Sequence, residues 1–256
     1  METDHERAYD PGKYRTPDGA PADIVIFTIT SEPQQRGTKS LPKRTLEVLL
    51  VKRKAWPFAG MWALPGGFSH ETETMYETAS RELQEEAGIE GVHMEYLNVY
   101  SEPGRDPRGW MISHAFCALV EERKLLSRRA ASDASEVGLF PVEEALSAMK
   151  LAFDHRRILQ DALARIREQM LLTTIARAFL PEEFTLGELY QIIRTVVPDF
   201  EEANFIRKMK STRSRSGVLE EVLDSAGLPK TSNRYSQRAA QLYRFTGEMP
   251  KLSLYS

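Results

Sequence analysis

Residues 66–89 read GGFSHETETMYETASRELQEEAGI, and this stretch decides which fold the chain is expected to adopt. Thr74 followed by Glu77 fits a capping box, the pattern that begins a helix, and Gly88 is a typical signal for its end. Between these limits, four apolar or aromatic residues recur at helical spacing and predict a buried stripe. The stripe consists of Tyr76, Ala79, Leu83 and Ala87.

Three carboxylates fall on one face of this predicted helix. Glu82 and Glu86 are four residues apart and Glu85 follows Glu82 by three, so their side chains project together. Like charges at this spacing repel one another, and a bound cation would remove that cost. Carboxylate oxygens are the ligands that Mg²⁺ and Mn²⁺ prefer, although a solvated acidic face is the alternative. Arg81 is placed to orient a neighbouring carboxylate, and Gly67 permits close approach of the backbone to a ligand.

The whole stretch resembles the Nudix box, which reads Gly, five residues, Glu, seven residues, then Arg-Glu-aliphatic-x-Glu-Glu-x-Gly-aliphatic. The matching positions here are Gly67, Glu73, Arg81, Glu82, Leu83, Glu85, Glu86, Gly88 and Ile89. Resemblance to the Nudix hydrolase superfamily implies hydrolysis of a nucleoside diphosphate linked to another group. It also implies that the three carboxylates and the Gly67 carbonyl hold Mg²⁺ or Mn²⁺, while Glu73 and Arg81 position the loop and the helix.

The charge of a diphosphate agrees with this expectation. Negative phosphates repel a nucleophile, whereas two metal ions could neutralise them and activate a water for in-line attack at phosphorus. The box does not identify the general base. Glu102, in a loop further along the chain, is a candidate, and a loop acid without a catalytic role is the alternative.

A second informative stretch, SEPGRDPRGWMIS at residues 101–113, bears on the substrate. Arg105 and Arg108 could clamp a phosphate from a rigid turn, or they could form ion pairs with Asp106 that shape the loop. The stretch resembles the RDPRG segment of Nudix proteins that handle ADP-ribose or related metabolites of NAD, which implies ADP-ribose as substrate. Aromatic residues that could stack an adenine ring, or equally belong to the core, are Phe58, Trp62 and Trp110.

The second half of the chain contains a basic run, IRKMKSTRSR, after a segment that reads helix, turn, helix. Its positive residues, which could meet DNA phosphates, are Arg207, Lys208, Lys210, Arg213 and Arg215. A basic surface on a dimerisation or lid domain is the alternative. The segments LAFDHRRIL, LPEEFTLGELYQIIRTV, NFIRKM and LYRF resemble the C-terminal winged helix of Nudix-related transcriptional regulators of NAD metabolism. Many such regulators have a degraded box, whereas this chain keeps every box residue.

These observations predict an α+β protein of 256 residues. We expect an N-terminal arm at 1–22, a Nudix α/β/α sandwich with a mixed sheet at 23–152, and a linker helix plus mainly helical winged-helix domain at 153–256. The net charge of -3 gives no global attraction to nucleic acid, and the single cysteine excludes an intrachain disulfide. A cytoplasmic homodimer without a membrane role is expected. Metal-dependent hydrolysis is the leading function, and ADP-ribose-responsive DNA binding is the alternative.

Overall fold

A computed structural model describes residues 15–32, 39–92, 94–129, 136–210, 218–236 and 238–247. The strands of the first half are β1 (Pro21–Ser31), β2 (Arg44–Lys52), β3 (Trp62–Ala63), β4 (Gly66–Phe68), β5 (Met94–Tyr100), β6 (Ser113–Leu119) and β7 (Val137–Pro141). The helices are α1 (Met75–Ala87), α2 (Glu122–Arg129), α3 (Val142–Ser147), α4 (His155–Leu172), α5 (Leu186–Val196) and α6 (Glu202–Lys210), with a 3₁₀ helix at Ile175–Phe179. The strands of the second half are β8 (Phe184–Thr185), β9 (Leu219–Glu221), β10 (Thr231–Ser232) and β11 (Ala240–Phe245).

The first sheet is mixed, as predicted. Its strand order is β3-β2-β1-β6-β5, with β4 also paired to β1 and β7 to β2. β1 and β6 run parallel, whereas β1 and β2 form the antiparallel pair expected of consecutive strands. β4 lies antiparallel to the start of β1, so that Gly66 and Gly67 face Asp23 and Ala22. This pairing fixes the glycines that precede α1 at one end of the sheet.

Helices cover both faces of this sheet because alternate residues of β1 enter two different cores. Ile24 and Ile26 pack in one core with Leu83 of α1. Val25 and Phe27 belong to the other core, to which α3, α4 and α5 contribute apolar side chains. Side chains alternate across a strand, so a strand buried on both faces is apolar throughout. The layers therefore form the α/β/α sandwich expected from the sequence.

Helix α1 begins and ends where the sequence predicts. Thr74 is its N-cap in a complete capping box with Glu77, and Gly88 ends it with a φ of 58°. One member of the predicted buried stripe is wrong: Tyr76 is 47% exposed. Its ring meets Phe116 edge-on at 6.2 Å between centroids, so the sheet covers only one side of this first-turn residue.

The second half combines α5 and α6 with a small sheet in which β11 pairs with β8, β9 and β10. Thr185 is the N-cap of α5 in a complete capping box with Glu188. Arg207 is exposed on α6, and the backbone of α6 also includes Lys208 and Lys210. The predicted DNA contacts at positions 213 and 215 lie outside the described residues. None of the helices in the described ranges has the length and apolar content needed to cross a membrane.

Helix α4 joins the two halves. On one side, the Tyr100 hydroxyl at the end of β5 donates to Asp161 Oδ2 at 2.8 Å. On the other side, Arg167 Nε donates to the carbonyl of Val196, the last residue of α5, at 3.1 Å. The sequence-based boundaries at 22 and 152 stay predictions; β1 begins at Pro21 and α4 at His155.

Candidate active site

Arg81 organises the acidic face of α1. Its Nε and Nη2 donate to the two carboxylate oxygens of Glu73, at 2.8 and 3.0 Å. Nη1 donates to Glu82 at 2.5 Å and to Glu85 at 3.3 Å, and Nη2 also reaches the Phe68 carbonyl at 3.0 Å. One guanidinium group thus ties the loop before the helix to two of the box carboxylates.

Glu73 is the anchor of this arrangement. Besides Arg81, it accepts hydrogen bonds from the His70 N–H at 3.2 Å and the Thr78 hydroxyl at 3.1 Å. The hydrogen bonds from Arg81, together with those from the backbone and the hydroxyl, lower the pKa of Glu73 to about 2. Glu73 is therefore ionised at neutral pH and holds Arg81 in place, the positioning role that the box resemblance implies.

Glu82 and Gly67 fit closely together. Glu82 is buried, with 8% of its surface exposed. A Cβ at Gly67 would overlap the carboxylate of Glu82, so only glycine leaves the carboxylate where it lies. The backbone of Gly67 is consequently in direct contact with one predicted metal ligand.

Glu86 is the last of the three carboxylates on this helical face, and it is half-buried. Its Oε2 accepts a hydrogen bond from the Gly66 N–H at 2.9 Å. Burial, with further contributions from the charges of Glu82 and Asp23, raises the pKa of Glu86 above its ordinary value despite that hydrogen bond. Burial is the main cause of this shift and the neighbouring carboxylates add to it, so a positive charge beside Glu86 would favour its ionised form.

The donor set matches what a divalent metal ion requires in its chemistry. Glu82, Glu85 and Glu86 offer carboxylate oxygens from one helical face, and a cation would favour the ionised form of Glu86 that burial disfavours. The side chains are not gathered as ligands in this arrangement. No three His, Cys, Asp or Glu side chains among the described residues form a group that could hold a metal ion; Arg81 instead lies between Glu82 and Glu85.

A cleft of about 180 Å³ opens beside the two glycines. Its wall includes the two glycines, the phenylalanines Phe68 and Phe153, and three positively charged side chains. Arg53, Arg105 and Arg108 are these positive residues. A cleft suits phosphate groups when it has exposed guanidinium groups and when glycines let a ligand come close to the backbone.

Arg53 and Arg108 both lie close to the ring of Phe153. Their guanidinium carbons are 4.8 and 5.5 Å from the centroid of Phe153, and Arg108 is also 4.8 Å from the ring of Phe68. Burial first and the neighbouring charge of Arg108 second lower the pKa of Arg53. Two arginines held near one another at the wall of a cleft favour the binding of a dianionic or more highly charged group.

Asp106 fixes the position of Arg108. Arg108 Nε and Nη2 donate to its carboxylate, at 3.0 Å to Oδ1 and 2.6 Å to Oδ2. Asp106 is buried, and hydrogen bonds from Arg108 outweigh that burial and lower its pKa. An internal ion pair therefore accompanies Arg108, and the side chain of Arg108 remains 29% exposed.

Arg105 points into the protein. It donates to both oxygens of Asp154, at 3.0 and 2.6 Å, and to Asp23 Oδ2 at 3.3 Å. Asp23 also accepts from the Ser113 hydroxyl at 2.5 Å, and His155 Nε2 lies 3.4 Å from its other oxygen. Burial alone would raise the pKa of Asp23, but His155, Ser113 and Arg105 lower it to about 2. Arg105 is thus held in ion pairs, as the alternative to a phosphate clamp has it, but its partners are Asp154 and Asp23, whereas Asp106 pairs with Arg108.

The other sequence-predicted residues occupy different places. Phe58 packs edge-on against Phe153, with ring centroids 4.9 Å apart, so it stands behind the cleft wall. Trp62 packs against Phe140 at 4.7 Å. Trp110 is 40% exposed. Glu102, the candidate general base, accepts from Arg157 of α4 at 3.0 Å.

Arg53, Phe68 and Phe153 were not identified from the sequence as site residues. Arg53 directly follows the apolar strand β2, and a charged residue at the end of a buried strand is a usable signal. Phe153 lies at the start of a strongly helical segment, where its pattern indicates packing rather than a binding surface. Its place in the cleft depends on contacts with residues 45 and 100 positions earlier in the chain.

The sandwich and the arrangement of the box residues define a protein of the Nudix class. Residues 34–162 match the family model of the NUDIX domain, and the chain belongs to the Nudix family.

Individual relatives differ in what they do. The chain is 33% identical over 209 residues to the "ADPR responsive transcriptional repressor NtrR" of Acinetobacter baylyi, covering 80% of this chain and 78% of that protein. It is 44% identical over 115 residues to the ADP-ribose pyrophosphatase of Methanocaldococcus jannaschii, covering 45% of this chain and 64% of that protein.

A solved structure resembles the chain over both halves. The crystal structure of Shewanella oneidensis NrtR complexed with a 27mer DNA matches with a TM-score of 0.68 at 28% sequence identity. The match covers 91% of this chain and 98% of that one. The fold predicted for the second half, a winged-helix domain after the Nudix sandwich, agrees with this similarity.

Proposed function

We propose that the chain hydrolyses the diphosphate of ADP-ribose, or of a closely related nucleoside diphosphate derivative, with Mg²⁺ or Mn²⁺. The observation that carries this proposal is the hydrogen bond that Glu86 of α1 accepts from the Gly66 N–H at 2.9 Å, because Gly66 lies in the wall of the cleft bordered by Arg53 and Arg108. Similarity to an ADP-ribose pyrophosphatase supports the choice of substrate.

In this proposal, Glu82, Glu85, Glu86 and the Gly67 carbonyl are the metal ligands. A bound divalent ion would supply neutralisation of the phosphates and an activated water. Glu73 holds Arg81, whose contacts with the carboxylates would give way when the ligands gather. The raised pKa of Glu86 fits this role, because a bound cation would stabilise the ionised form of a carboxylate that burial otherwise disfavours.

Arg53 and Arg108 would bind the diphosphate. Their guanidinium groups are held over the Phe153 ring by ion pairing and by the hydrogen bond from Arg53 Nε to the Pro57 carbonyl at 2.7 Å. Because both are positioned before substrate arrives, little side-chain entropy is lost on binding. This assignment replaces Arg105 with Arg53 as the partner of Arg108.

The test is release of AMP from ADP-ribose by the purified protein with Mg²⁺ or Mn²⁺, compared with NADH, ATP and sugar nucleotides. Glu85→Gln is expected to abolish turnover and leave the fold intact, because Glu85 is exposed. Glu90→Gln, on an exposed residue just after the box, is the matched control and should keep the full rate. Equal rates for both variants would refute the assignment of the metal ligands.

A second candidate function is ADP-ribose-responsive DNA binding by a homodimer. It is favoured by the similarity, over most of the chain, to a repressor named as ADPR-responsive and to a structure complexed with DNA. The exposed Arg207 on α6 would be one of the residues that meet DNA phosphates. Gel-shift and sedimentation measurements with the full chain test DNA binding and dimerisation separately from turnover.

A further inference from the structure

Phe153 has a backbone conformation that a bulky side chain rarely adopts. Its φ is 51°, in the left-handed region. Such a residue costs roughly 1–3 kcal/mol and persists only where its surroundings hold it, which is most often at functional sites. Phe153 is therefore a place where strain is available to be released.

The groups that hold Phe153 are those of the proposed substrate cleft. Arg53 and Arg108 lie over its ring, and Phe58 packs edge-on against it. Arg108 is tied to Asp106, and Arg53 to the carbonyl of Pro57. A diphosphate that draws the two guanidinium groups toward itself would consequently alter the packing around the ring.

The residue after Phe153 begins helix α4. Asp154 is the N-cap position of this helix, and its carboxylate accepts two hydrogen bonds from the buried Arg105. His155 follows in the first turn; its ring lies 5.1 Å from that of Phe153, and its Nδ1 accepts from the Leu64 N–H at 2.8 Å. A change in the backbone at Phe153 therefore acts directly on the first turn of α4.

Helix α4 reaches from the cleft to the second half. It has 18 residues, which is a length of about 27 Å at the usual rise per residue. Arg167, near its far end, donates to the last carbonyl of α5. A helix packed on both sides moves as a unit, so a tilt at its N-terminus displaces its other end.

We propose that Phe153 couples binding of a diphosphate in the cleft to the position of α4, and through α4 to the helices of the second half. The inference rests on the proposed binding of ADP-ribose and adds the route by which the second half would respond. Its physical basis is the strained residue Phe153, whose ring is in contact with both the ligand-binding arginines and His155 in the first turn of the helix.

The experiment is hydrogen exchange of the full chain with and without saturating ADP-ribose, in EDTA so that no turnover occurs. Titration calorimetry under the same conditions measures binding. Couplings of ordinary size change an equilibrium about 5- to 150-fold. We therefore expect ADP-ribose to change exchange in peptides from α4 and α5 by at least about fivefold.

Phe153→Gly and Phe153→Asn both tolerate a positive φ and remove the ring. Either variant should bind ADP-ribose while its α4 and α5 peptides change less than about twofold, well below the usual coupling. Phe58→Gly is the matched control, because Phe58 also has a positive φ and touches the same ring but does not adjoin α4. This control should keep the response at saturation.

The outcomes separate the two proposals. If ADP-ribose fails to bind the wild-type chain in EDTA, the arginines do not bind the diphosphate by themselves and the coupling is refuted. If ADP-ribose is also not cleaved with Mg²⁺ or Mn²⁺, the proposed function is refuted as well. If ADP-ribose binds but α4 does not respond, or if the Phe153 variants respond as the wild type does, the coupling alone is refuted. If Phe58→Gly also loses the response, the response depends on the packing of the cleft as a whole. That result would also overturn the specific role of Phe153.

Discussion

The buried carboxylate of Asp23 offers a quantitative test of how the cleft is held together. Its pKa is lowered from the ordinary 3.8 to about 2, since His155, Ser113 and Arg105 outweigh the effect of burial. A lowered pKa means that the ionised form stabilises the fold. The contribution is complete above about pH 4 and is lost as the pH falls toward 2. One pKa unit corresponds to about 1.4 kcal/mol, so the contribution is about 2 kcal/mol.

Asp23→Asn removes this titration while keeping nearly the same shape. At pH 7 the variant should be less stable than the wild type by at least about 2 kcal/mol, because the buried Arg105 loses one of its two carboxylate partners. The difference in free energy of unfolding should then shrink as the pH falls from 5 to 2.5. Urea denaturation of both proteins at constant ionic strength measures it, and other carboxylates cancel in the comparison.

Glu32→Gln provides the control. Glu32 pairs with Lys43 on the surface, with both side chains more than half exposed, and exposed pairs contribute between zero and about 1 kcal/mol. Its variant should therefore follow the wild type across the whole range of pH. A difference between Asp23→Asn and the wild type that stayed constant from pH 7 to pH 2.5 would show that Asp23 does not hold its charge through this network.

Further predictions concern the site and the second half. Gly67→Ala should reduce turnover by at least about 100-fold, comparable to loss of a key electrostatic group, because a Cβ would displace the Glu82 carboxylate. Gly91→Ala is the control: Gly91 has a positive φ but lies in open space, so this variant should lose stability and keep its turnover. Steady-state kinetics distinguishes the two variants. Arg53→Met should raise KM for ADP-ribose more than it lowers kcat, measured with the same AMP assay; an unchanged KM would contradict its contact with the phosphates. Arg207→Ala should reduce the slope of log affinity for DNA against log salt by about 1, and an unchanged slope in gel shifts would remove Arg207 from the interface.

The sequence was sufficient for the features that depend on local pattern. The limits of α1 follow from Thr74 and Gly88. The capping box of Thr74 with Glu77 forms as predicted. Such features depend on residues close together in the chain, where spacing alone fixes which groups meet.

Features that depend on distant contacts were beyond the sequence. Arg105 turns inward because Asp154, 49 residues later, lies beside it in the fold. Arg53 reaches the cleft only because the turn after β2 brings it over Phe153. Tyr76 satisfies the helical period yet is exposed, since a period identifies a face of a helix but not how far the neighbouring layer extends.

Hydrolysis and regulation make different demands on the same cleft. A sensor requires the ligand to remain bound long enough for α4 to respond, whereas an enzyme that cleaves the ligand ends its own signal. This chain retains Glu82, Glu85 and Glu86 and also has a helix that leads to a second domain. It would therefore respond to ADP-ribose only while the ligand binds faster than the site cleaves it. Glu85→Gln separates these demands, because it should block cleavage and leave Arg53, Arg108 and Phe153 in place. A longer-lived response of α4 in that variant, in the presence of Mg²⁺, is what a chain with both functions would give.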